Sequence, residues 1–200
     1  MSLAFATEKQ LALSAVRRAC NLTSSGDKSP VTVGDYSAQA VISSMIHHAF
    51  PADPIVGEED AADLRAETGA VLRSRILLDA IDRGNFEGGR SGRMWTIDPI
   101  DGTKGFLRGE QYAVCLALLV DAEVQVGVLG CPNLPIDMSN PDGEKGCLFV
   151  AVKGQGAQQM KLSGADPAPL SMPPYSPSTF NFLESVEAAH SSHSTNDKTS

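Results

Sequence analysis

The stretch Trp95–Phe106, WTIDPIDGTKGF, sets two aspartates three residues apart, with Pro99, Gly102 and Thr103 around them. Asp98 follows the apolar residues Trp95 and Ile97, so it is expected at the carboxyl end of a strand, where ligands often collect. Pro99 fixes the backbone and lacks an N–H, which should turn the chain at once and leave the Ile100 carbonyl free to point at a cation. Asp101 can then face the same space as Asp98. Gly102 and Thr103 read as the opening of a short helix, whose free N–H groups and positive dipole end favour a phosphate. Taken alone, the same residues also suit a tight turn, because Asp-Pro and Asp-Gly are common turn pairs.

Oxygen-only ligands select a hard ion such as Mg²⁺, which keeps several waters and shares substrate phosphate oxygens. Two further acidic positions precede the motif: Asp35 in TVGDYSAQ, and Glu58-Glu59 in IVGEED. Each follows a short apolar run and a glycine, the pattern of a strand delivering a ligand to a site. Two metals about 4 Å apart would need at least this many carboxylates, and would clamp the attacking water and the leaving oxygen of a phosphate ester. GEED reads equally well as a solvated helix start. An EF-hand does not fit, because that loop needs acids at alternating positions. His47 and His48 lie inside a helical pattern and suit ordinary packing or surface roles. His190 and His193 have loose ligand spacing without a cysteine partner, which opposes a zinc site. Gly154 and Gly156 in VKGQGAQQ lack the later glycine of a dinucleotide loop and read as a bulge or turn.

These residues need elements to position them. From Leu3 to Leu22, Leu11, Ala12, Ala15, Val16 and Ala19 recur at helical spacing. A second helical stripe, Ala38, Ile42, Met45 and Ala49, is expected to begin at or near Gly34-Asp35 and to stop at Pro51. The run PIVGEED reads as extended, and AADLRAETGAVLRSRILLDAID as a third helical stretch that Gly69 can break. The loop RGNFEGGRSGR looks mobile. Strand periodicity then takes over in MWTID, YAVCLALLV, VQVGVLG and LFVAV, the middle pair close enough for an antiparallel hairpin. The expectation is α+β: helices first, then a mostly antiparallel sheet. The last forty residues hold one further apolar run, TFNFLESV, and a polar tail that looks frayed.

Hydrophobic residues make up 42% and charged residues 20% of the 200-residue chain, enough for a packed core. The net charge of −8 opposes nucleic-acid or anionic-membrane partners, although metal ions could bring in a small anion. The four cysteines form no C-x-x-C pair, which suggests a reducing compartment. No run reaches transmembrane length and the first residues lack the pattern of a secretory signal, so a cytosolic location is expected.

GDYSAQ, VGEED, WTIDPIDGTKGFLRGEQYAVCLALL, GVLGCPN and SVEAAHSSH together resemble the 3'(2'),5'-bisphosphate nucleotidases, a branch of the inositol monophosphatase superfamily of lithium-sensitive, magnesium-dependent phosphatases. DPIDGT marks the superfamily, and KGFLRGEQ and AHSSH the nucleotidase branch. The resemblance implies a layered helix/sheet sugar-phosphatase-like fold and a monomeric enzyme of sulfur and nucleotide metabolism that converts adenosine 3',5'-bisphosphate to AMP. It implies on the order of two or three Mg²⁺ per site, held by Glu58, Asp98, the Ile100 carbonyl and Asp101. Asp35 and Thr103 would orient and deprotonate the attacking water. The 3'-phosphate would lie against Gly102 and Thr103, His190 would contact the nucleotide, and Glu59 would stand behind the ligands or touch a metal itself.

In one respect the chain departs from the family. Members are considerably longer, and their second half carries a further metal aspartate in a W-D-x-x-A-G motif together with residues that grip the nucleotide. None of that motif occurs here. The chain is therefore expected to be the amino-terminal lobe of such an enzyme, with a metal-binding domain over 1–164, the start of a second lobe over 165–200, and a catalytic rate far below that of a complete enzyme.

Overall fold

Small apolar side chains every third or fourth residue let a helix lie close to a sheet, and α1 (Ala6–Ser25) does so. Its Ala12, Ala15, Val16, Ala19 and Cys20 are wholly buried. The structure, a computed structural model, describes residues 4–25, 31–66 and 75–172. The remaining described elements are α2 (Val31–Ala49), β1 (Ile55–Gly57), α3 (Ala61–Ala66), α4 (Arg75–Asp82), β2 (Arg93–Asp101), α5 (Thr103–Arg108), β3 (Ala113–Val120), β4 (Glu123–Pro135), β5 (Lys145–Val152), β6 (Gly156–Lys161) and β7 (Ala168–Leu170).

The seven strands form one sheet in chain order. Only the β1–β2 pairing is parallel; every later pair is antiparallel. The α+β expectation therefore holds. The β3–β4 hairpin closes through Asp121 (φ 51°) and Ala122 (φ 61°), the left-handed pair that a two-residue turn demands. Gly154 and Gly156 shape the β5–β6 turn, as the sequence suggested.

α1 lies against β3, β4 and β5, and α2 lies against α1, β2 and α4. Trp95, Ile97, Val114, Leu116, Leu118, Val126, Val128, Leu148 and Val150 face them as one core. A smaller cluster, Tyr36, Ala40, Ala61, Leu64, Ala80 and Ile81, joins α2 to α3 and α4. At the start of β2, Arg93 pairs with Glu8 (3.0 Å) and Asp53 (2.6 Å) and stacks on Phe50, and the Trp95 indole N–H donates to Asp53 at 2.8 Å. The opposite face of the sheet carries an open apolar concavity of about 420 Å³, lined by Cys115, Ala117, Leu129, Phe149 and Ala151 with Asp98 at its margin.

Several expectations need correction. α2 begins at Val31, so Val31-Thr32-Val33 is helical and Asp35 sits on a helix instead of following a strand. In the third helical stretch the described residues form α3 and α4, and Gly69 lies outside the described residues. The start of the loop after α4 is tied down: Gly57 N–H donates to Gly84 O at 2.8 Å and Phe86 N–H to Ile55 O at 3.1 Å. Pro99 does not turn the chain, because β2 runs on to Asp101. TFNFLESV, His190 and His193 lie outside the described residues.

Candidate active site

A strict pleat would send side chains three residues apart to opposite faces of a strand. Asp98 and Asp101 escape that because β2 bulges between them: Asp98 is opposite Cys115 and Asp101 opposite Ala113, three residues on one strand against two on the other. The extra residue returns Asp101 to the face that Asp98 occupies. Pro99, which has no N–H to give a ladder, is accommodated in that irregularity. The Ile100 side chain is buried, while its carbonyl accepts from the Thr103 hydroxyl at 3.4 Å.

β1 delivers the next acid. Gly57 is in parallel register with Ile97, so one step further Glu58 comes alongside Asp98. α2 delivers Asp35, which is 6% exposed. Gly34 allows this approach, since a Cβ there would sit 3.2 Å from Ile100 Cδ1 and 3.6 Å from Phe106. Gly102 (φ 91°, ψ 43°) takes the left-handed conformation that starts α5 directly after Asp101, as the sequence suggested.

The electrostatics show how closely these acids meet. Burial pushes the Asp35 carboxyl from 3.8 up to about 7, reinforced by the charges of Glu59, Glu58 and Asp98. Burial likewise pushes Asp98 up to about 7, with Glu58 in hydrogen-bonding reach and the charges of Glu58 and Asp101 adding to it; only the Ile100 backbone N–H pulls the other way. Asp98 Oδ1 is buried with no hydrogen-bond partner. A buried acceptor without a donor is costly unless something positive comes to it.

That orphaned oxygen and the all-oxygen donor set fit a hard cation. Among the described residues no three His, Cys, Asp or Glu side chains enclose an ion as they stand. Glu58 and Asp101 are exposed, so the set is open to solvent on one side. Such an arrangement suits magnesium, which keeps several waters, and does not make a closed structural site. Thr103 reaches the Ile100 carbonyl, and no hydrogen bond joins it to Asp35 among the described residues. Sequence reasoning passed over Gln39 altogether, although it sits one helical turn beyond Asp35 and grips the Glu59 peptide.

The profile of the inositol monophosphatase family matches residues 2–200. A 3'(2'),5'-bisphosphate nucleotidase of Schizosaccharomyces pombe is 40% identical over 98% of this chain and 68% of its own length. 3'(2'),5'-bisphosphate nucleotidase 1 of Candida albicans is 42% identical over 94% of this chain and 61% of its own length. Among solved structures, Mycobacterium tuberculosis SuhB shares the fold with a TM-score of 0.55 and 21% identity, over 85% of this chain and 53% of that one. The chain thus spans between about half and two thirds of the length of these proteins.

Proposed function

The chain belongs to the inositol monophosphatase family, and from that premise we propose a magnesium-dependent 3'-nucleotidase that hydrolyses adenosine 3',5'-bisphosphate, and its 5'-phosphosulfate counterpart, to the 5'-nucleotide and phosphate. The observation that carries this reading is the meeting of Asp35, Glu58, Asp98 and Asp101 from three separate segments, with one buried Asp98 oxygen unpartnered. The relatives at about 40% identity support the choice of substrate.

Glu58, Asp98, the Ile100 carbonyl and Asp101 are the residues that would hold the ions. Bound there, magnesium supplies Lewis-acid stabilisation of the phosphoryl oxygens and lowers the pKa of a coordinated water. Asp35, buried and beside the other acids, accepts the proton of the attacking water, and the Thr103 hydroxyl helps to orient that water. Gly102 and Thr103 offer backbone N–H groups at the start of α5 to the 3'-phosphate, and His190 contacts the nucleotide. Residues 1–164 carry the metal-binding domain, and β7 (Ala168–Leu170) adds a further strand to its sheet. The same reading has the chain working in the cytosol as a monomer, without nucleic-acid or membrane partners. The net charge of −8 supports the absence of both, and no helix among the described residues is long and apolar enough to cross a membrane.

Phosphate release measured on adenosine 3',5'-bisphosphate, inositol 1-phosphate and AMP, with Mg²⁺ and with EDTA, tests this. Release from the first substrate alone, and only with Mg²⁺, is expected, at a rate well below that of a full-length relative. Preference for inositol 1-phosphate would reassign the substrate. Magnesium binding with no release from any substrate would make the chain a binding module.

A further inference from the structure

We propose that Gln39 is a positioning residue for the metal-binding loop: its side-chain amide fixes the Glu59 peptide, and through it the placement of Glu58 and Glu59 against Asp35 and Asp98. This rests on the reading of Glu58 as a metal ligand. Gln39 is wholly buried on α2. Its Oε1 accepts from the Glu59 N–H at 2.9 Å, and its Nε2 donates to Glu59 O at 2.7 Å and to Ile81 O at 3.4 Å. One amide therefore satisfies both backbone groups of one residue in the loop and also reaches the end of α4. Only a primary amide supplies an acceptor and two donors in that arrangement.

The surroundings are shaped to admit it. A Cβ on Gly57 would lie 2.5 Å from the Gln39 amide carbon, and one on Gly84 would lie 2.9 Å from Nε2. Two glycines from different segments thus leave room for this one side chain, and the bond from Gly57 N–H to Gly84 O closes the wall behind it. Gln39 is four residues beyond Asp35, so both project from the same face of one helix. The helix that carries the water-activating acid therefore also grips the loop that carries the ligands. The spacing of Asp35 from Glu58 and Glu59 is set by one rigid turn of α2 instead of by a free loop. Groups that hold metal ligands in place typically change metal affinity by about 10- to 100-fold when removed.

Two measurements on the full 200-residue chain test this. In the first, calorimetric Mg²⁺ titration compares the unsubstituted chain with Gln39→Met, which conserves volume but offers no hydrogen bond, and with Ser43→Ala. Ser43 is equally buried one turn further along α2, and its hydroxyl has no hydrogen-bond partner. Mg²⁺ affinity should fall about 10-fold or more in Gln39→Met and stay unchanged in Ser43→Ala; equal affinity in all three overturns the proposal. In the second, which needs no variant, amide exchange of Glu59 is followed by NMR in the metal-free unsubstituted chain. The Glu59 N–H should be protected before any ion is added, and exchange at the rate of an open loop would overturn the proposal even if Gln39→Met fails to fold. An unsubstituted chain that binds no Mg²⁺ sinks the metal reading itself and this inference with it, a result distinct from either of the others.

Discussion

Replacing Asp98 with asparagine should stabilise the metal-free chain while ending its response to magnesium. Burial, the nearby Glu58 and the charge of Asp101 lift the Asp98 carboxyl from 3.8 to about 7. The unfolded carboxyl ionises near 3.8, so between there and about 7 the native state holds the proton more tightly. Stability of the metal-free chain therefore falls as pH rises through that window, and the full cost stands above it. A rise from 3.8 to about 7 corresponds to about 4 kcal/mol at full charge. Solvent screening at this half-buried position reduces that to roughly 2 kcal/mol. An asparagine carries no charge and turns an –NH₂ donor toward acceptors that the carboxylate repels. For a chain of this size that amounts to about 4–8 °C in Tm. Thermal unfolding at pH 8, in EDTA and then in excess Mg²⁺, reads both halves. The unsubstituted chain should gain stability from Mg²⁺ and Asp98→Asn should not. A variant less stable than the parent in EDTA, or one that Mg²⁺ stabilises equally, would refute the reasoning.

Gly130→Ala should cost about 1–3 kcal/mol, because its Cβ would lie 2.3 Å from Cys20 Sγ and 2.7 Å from Val16 Cγ1, lifting α1 off β4. Adding Cys20→Ala should recover part of that loss in denaturant unfolding; strictly additive effects would contradict the packing described. Arg93→Met removes the ion pairs to Glu8 and Asp53 and should destabilise the chain by about 1–3 kcal/mol, with Mg²⁺ affinity unchanged by calorimetry. A changed Mg²⁺ affinity would tie that network to the site.

The parts of this architecture that announce themselves in the sequence are those whose periodicity is set by burial. β2 to β5 alternate or run apolar because one face meets α1 and α2, and the α1 stripe reappears residue for residue in the core. β6 was invisible because GAQQMK is polar and near the sheet edge, with only Met160 buried. Val31-Thr32-Val33 has the β-branched composition of a strand, yet the docking of Gly34 on Ile100 and Phe106 takes that segment into α2. At the site, the acids were legible from residue type and spacing, whereas the means of bringing them together was not. The bulge that puts Asp98 and Asp101 on one face depends on register with β3, which no local pattern encodes. Gln39 escaped notice because a glutamine on a helix reads as solvent-facing until Gly57 and Gly84 are seen to make room for it.

The central claim is that carboxylates from α2, the end of β1 and the β2 bulge gather around a divalent cation. Its most direct measurement is anomalous scattering from crystals of this chain soaked in Mn²⁺, a hard-ion substitute for Mg²⁺. The account predicts a peak within coordination distance of Glu58, Asp98, Asp101 and the Ile100 carbonyl. No peak there, or manganese bound only at other acids on the surface, would contradict it.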